Sequence, residues 1–67
     1  TPGGRYVFRH GVMVGFAFPI DAPEPFAIAG VWYPGGDLVK ENFDTFEKAL
    51  EWAVNVSQAA GLIASDR

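Results

Sequence analysis

The segment RYVFRHGVMVGFAFP, residues 5–19, sets large apolar side chains on alternate positions and carries charge only at Arg5 and Arg9. An alternation of two is the signature of a strand, because successive side chains leave a strand on opposite sides. Gly11 can supply the positive φ that a hairpin turn needs. With Arg9-His10-Gly11 as a three-residue loop, Phe8 stands opposite Val12 and Tyr6 opposite Val14. Tyr6, Phe8, Val12, Val14, Phe16 and Phe18 then share one face. Val7, Met13, Gly15 and Ala17 share the other, which is smaller and hardly more polar. A single strand from Arg5 to Phe18 has the same alternation, but fourteen residues is long for a strand, and Gly11 favours the hairpin.

Downstream, Pro19 is expected to stop the second strand or confine its end to an edge. The segment IDAPEP, residues 20–25, is a proline-punctuated connection. FAIAGVWY, residues 26–33, is the third strand; Phe26, Ile28 and Trp32 point one way, and Ala27, Ala29, Val31 and Tyr33 the other. A strand apolar on both sides expects cover on both sides. PGGD, residues 34–37, is a turn, and LVKEN after it is either a short fourth strand or a loop.

FDTFEKALEWAVNVSQAAG, residues 43–61, reads as a helix. Asp44 is expected to be the N-cap, with Glu47 completing a capping box, and Gly61 is a ready C′ residue. At about 100° per residue, Phe46, Ala49, Leu50, Ala53, Ser57 and Ala60 gather on one side, flanked by Val54 on one edge and by Trp52 and Val56 on the other. The apolar arc spans roughly 200°, more than one sheet face occupies.

These elements predict an α+β domain over residues 1–67: a three-stranded, possibly four-stranded, antiparallel β-meander with one C-terminal amphipathic α-helix packed on one face. The helix is expected to cover the face rich in phenylalanine. The second face of the sheet is then left open, and an exposed apolar patch of a few hundred Å² usually marks an interface. The residues expected to form it are Val7, Met13, Ala17, Val31 and Tyr33, with Trp52 and Val56 at the edge of the helix stripe. The alternative is that the loops or residues 62–67 cover that face.

Composition narrows the function classes. In 67 residues there are six Phe, two Trp, two Tyr and no Cys, so disorder is disfavoured, and thiol catalysis, cysteine metal sites and disulfide staples are excluded. A domain of this size buries only about 60% of its unfolded surface and gains from a partner that binds the folded form. Eight acids against five scattered bases give a net charge of −3, whereas a phosphate backbone calls for a concentrated basic face. No apolar run approaches the roughly 20 residues of a membrane span, and no signal-like segment is visible, so a cytoplasmic address is expected. A chain opening on Thr1 is expected to have lost an initiator Met or to have been trimmed.

No set of residues assembles into a catalytic site. His10 is the single imidazole and falls in the hairpin loop; a general-base role needs a carboxylate such as Asp37 or Glu41 brought to it. Asp44, Glu47 and Glu51 are accounted for by the helix itself. Gly3-Gly4 and Gly35-Gly36 match no phosphate-binding motif, and Ser57 and Ser65 sit in no nucleophile elbow. The expectation is a non-enzymatic protein–protein interaction or assembly module without cofactor or metal, whose partner is a protein and first of all a second copy of the chain. Two other readings carry less weight. One is a small nucleic-acid-binding domain that reads a groove with its sheet. The other is an acidic, inhibitor-like protein that occupies a basic partner.

Overall fold

A computed structural model of the protein describes residues 3–21 and 23–62. Its elements are β1 (Arg5–Arg9), β2 (Val12–Ile20), β3 (Phe26–Trp32), β4 (Leu38–Phe43) and α1 (Phe46–Ala59). The four strands form one antiparallel sheet in the order β1-β2-β3-β4, and α1 lies across the two central strands. The α+β meander with a C-terminal helix is thus the architecture, in its four-stranded form. LVKEN is not a loop: with Phe43 it pairs along β3, from Trp32 opposite Leu38 to Ala27 opposite Phe43.

The first hairpin is tighter than the expected three-residue loop. His10 and Gly11 both take positive φ, 52° and 79°, and Arg9 pairs directly with Val12. Two left-handed residues make a type I′ turn, whose twist matches that of the strands it joins. Phe8 therefore stands opposite Met13 rather than Val12, and Tyr6 opposite Phe16 rather than Val14. The register shifts between Val7 and Phe8, so Val14 is the extra residue of a β-bulge and packs against the core.

Pro19 does not end β2. It pairs with Ala27 inside the strand, and β2 runs on to Ile20. The β1 ladder has already stopped at Arg5 opposite Ala17, so Pro19 stands where β2 is locally an edge and its missing N–H costs no ladder bond.

The helix begins one residue later than the expected cap. Thr45, not Asp44, is the N-cap: its backbone is extended, and its Oγ1 accepts a hydrogen bond from the Lys48 amide at 3.2 Å. The N3 position then falls on Lys48, so there is no capping box; Glu47 sits in the first turn, where its charge suits the helix dipole. Asp44 instead meets Lys48 Nζ at 3.2 Å in an exposed i,i+4 pair. At the other end Gly61 takes φ 74°, its amide donates to the Gln58 carbonyl, and the Leu62 amide donates to the Ser57 carbonyl. This is a Schellman motif, and it folds Leu62 back into the core.

The largest departure concerns which face the helix covers. It lies on the small-residue face. Ala17, Ala27, Ala29 and Val31 of the sheet and Ala49, Ala53 and Ser57 of the helix are fully buried against one another. Val7 and Leu62 close the ends of this layer. The physical reason is fit: Gly15 and three alanines make a flat floor, and a helix stripe of two alanines and a serine settles close onto it. Phe46, Leu50, Trp52, Val54 and Val56, half-buried, pack around this contact. Among the described residues nothing covers the phenylalanine-rich face, which is the open one; residues 63–67, expected as alternative cover, lie outside the described residues.

Candidate functional site

The pairing register assigns the residues of the open face. From β1 come Tyr6 and Phe8, from β2 Met13, Phe16, Phe18 and Ile20, from β3 Phe26, Ile28, Gly30 and Trp32, and from β4 Leu38, Lys40 and Asn42. The aromatic rings form a continuous row. Phe8 and Tyr6 are 6.4 Å apart, Tyr6 and Phe18 5.4 Å, Phe18 and Phe16 5.4 Å, and Phe16 and Trp32 5.5 Å, all tilted or edge-on. Such geometry is favourable between rings. Burial falls toward the β1 edge: Phe16, Phe18 and Trp32 are half-buried, whereas Tyr6 is 51% and Phe8 56% exposed.

Gly30 keeps the middle of this face flat. A Cβ at that position would collide with the ring of Phe16, which lies across the Gly30 backbone. Only glycine lets the ring settle there. Lys40 is the single charged residue on the face by register, and among the described residues it makes no ion pair. Both sheet edges are guarded. The β4 edge carries exposed Lys40 and Glu41, and β1 is five residues long, its ladder interrupted beside Phe8 by the bulge at Val14 of β2. Short, charged or bulged edges resist strand-to-strand extension, so the face rather than the edge is the available surface.

The expected interface residues are placed otherwise than foreseen. Val7, Ala17 and Val31 lie beneath the helix and present almost no surface. Met13 and Tyr33 are exposed, Met13 on the open face opposite Phe8 and Tyr33 just beyond β3, where its amide donates to the Asp37 carbonyl. Trp52 and Val56 are half-buried against the core, with the Trp52 ring 5.7 Å from Phe43. Alternation sets Tyr6, Phe8, Val12, Val14, Phe16 and Phe18 on one face, expected under the helix; across the bulge Val12 and Val14 leave that face, and Tyr6, Phe8, Phe16 and Phe18 lie on the open one. Their parity was the correct signal; their size pointed the wrong way.

His10 stands exposed in the tight turn. Arg9 Nη1 donates to the Gly61 carbonyl at 2.6 Å, which ties β1 to the end of the helix and holds this cation on the helix side. Arg5 shares its parity with Val7 and so belongs to the same side. Among the described residues no three His, Asp or Glu side chains gather as metal ligands, and no helix is long and apolar enough to cross a membrane. Ser65 lies outside the described residues. Comparisons with protein families, with curated proteins and with solved structures find no match to this chain.

Proposed function

We propose that the protein is a small, non-enzymatic assembly module that associates with another copy of itself through the open aromatic face of its sheet. One observation carries the reading: five aromatic rings form an unbroken row on a sheet face that no element among the described residues covers. Taking about 200 Å² for a large side chain in water, the exposed fractions of these rings together with Met13, Ile20, Phe26, Ile28 and Leu38 amount to on the order of 600 Å² of surface. That is the top of the range for the largest patch on a monomer. Two such faces in contact bury roughly 1,200 Å², the lower bound of stable interfaces. Energetics agree, because the monomer's own core contains nothing larger than Val31 and Ser57 among fully buried side chains. A fold with so small a core gains stability from any partner that binds only its native form.

Sedimentation equilibrium across the micromolar range tests this. A dimer that dissociates on dilution is expected, and Phe8→Glu is expected to yield a folded monomer, since Phe8 is largely solvent-facing already. A chain that stays monomeric throughout sinks the reading.

Aromatic sheet faces also offer stacking planes to unpaired bases. Against that, Arg5 and Arg9 stand on the helix side, and the aromatic face carries one lysine in a chain of net charge −3. Anisotropy of a labelled single strand at low salt discriminates: saturable binding there replaces the assembly reading with a nucleic-acid one.

A further inference from the structure

The open face is asymmetric across its width, and the asymmetry indicates how two copies meet. Tyr6 pairs with Phe16, Phe16 with Gly30, and Gly30 with Lys40, so these four residues form one rung running straight across the sheet. At its β1 end stands a half-exposed phenol ring, and at its β4 end the only cation of the face among the described residues. Toward the hairpin, Phe8 pairs with Met13 at the β1 side and Trp32 with Leu38 at the β4 side.

Two sheets packed face to face keep their strands within about 30° of one another. In aligned packing a two-fold axis between them runs either along the strands or across them. An axis across the strands sets β1 over β1 and β4 over β4. The most exposed rings then share one edge, and the two Lys40 ammonium groups share the other edge of a drying interface, where they repel. An axis along the strands exchanges the edges and keeps each rung at its own level. Lys40 of each copy then lies over Tyr6 of the other, twice by symmetry, and the two Phe16 rings, each lying across its own Gly30, meet beside the axis. A cation over an aromatic face is attractive, more so once water is excluded.

We infer that the chain forms a face-to-face homodimer whose two-fold axis runs parallel to the strands, with each Lys40 seated on Tyr6 of the other copy. This rests on the assembly reading above and specifies the geometry of that same surface. It is an isologous interface, self-complementary because the aromatic edge and the cationic edge of one face lie at equal distances from the axis.

The test combines two measurements on the full chain. In sedimentation equilibrium Lys40→Gln is expected to raise the dimer dissociation constant roughly tenfold, in line with two lost cation–π contacts, and Lys40→Arg to leave it nearly unchanged. The chain has no cysteine, so a single introduced thiol reports unambiguously. With a short bismaleimide, Phe8→Cys mixed with Leu38→Cys is expected to give a cross-linked dimer, and neither variant alone to do so. A dimer in which Lys40→Gln tightens or leaves association unchanged, or in which Phe8→Cys cross-links to itself, overturns the proposed axis and leaves the association reading standing. A monomer under all conditions overturns both.

Discussion

The ring of Phe16 occupies the place where a side chain at Gly30 would be. The two residues are directly paired across β2 and β3, so one large and one absent side chain share a single rung, and the aromatic face stays level at its centre. Gly30→Ala is expected to expel the ring and lower stability by about 1–2 kcal/mol, net of the small entropic gain from replacing glycine. Urea denaturation checks the magnitude. Tryptophan fluorescence gives a second readout, because Phe16 sits 5.5 Å from the Trp32 ring. An unchanged midpoint and spectrum would mean that the ring has another place to go.

Val31 and Val39 are cross-strand partners with opposite surroundings: Val31 is fully buried under the helix, and Val39 is 39% exposed on the edge strand. Val31→Ala is expected to cost about 2 kcal/mol, through lost burial and the cavity left beneath α1. Val39→Ala is expected to cost well under 1 kcal/mol. For a chain of this length, whose total stability is roughly 3–10 kcal/mol, the first change is severe. Similar losses at both sites would contradict the helix position described above.

Ser57 is fully buried between the helix and the sheet, and its hydroxyl has no hydrogen-bond partner among the described residues. A Cβ at Gly15 would stand 3.5 Å from that hydroxyl, so the two positions face each other closely. An unsatisfied buried hydroxyl is a standing cost, and alanine is the better helix former. Ser57→Ala is therefore expected to stabilise the fold by about 1 kcal/mol, read as a higher urea midpoint at unchanged slope. A loss of that size would show that the hydroxyl does find an acceptor.

Thr45 and Asp44 compete for the role of N-cap, and the hydrogen bond to the Lys48 amide belongs to Thr45. Thr45→Ala is expected to cost about 1 kcal/mol. Asp44→Ala removes only an ion pair whose side chains are 61% and 74% exposed, so its effect is expected to stay within about 0.5 kcal/mol. The reverse ordering in a urea series would return the cap to Asp44.

Much of the molecule was legible in its residues. Gly11 marked the first turn and Gly61 the helix end, both with the positive φ that their positions imply. The parity of Tyr6, Phe16 and Phe18, and that of Ala27, Ala29 and Val31, assigned each set to one side of the sheet. Less legible were His10, which adopts the left-handed conformation without being glycine, and Val14, whose extra place in the strand depends on how β1 and β2 meet. Thr45 and Asp44 are both good caps, and only the path of the chain out of Phe43 chooses between them.

Local sequence settled three of the strands, the places of the turns, the helix and the fact that both sheet faces are apolar, because period and turn chemistry are properties of neighbours along the chain. Tertiary structure alone settled which face the helix hides. Side-chain size argued for burying the phenylalanines, but close packing is decided by shape between surfaces. Ala49, Ala53 and Ser57 fit the flat floor of Gly15, Ala17, Ala27 and Ala29, which left the aromatic side facing outward.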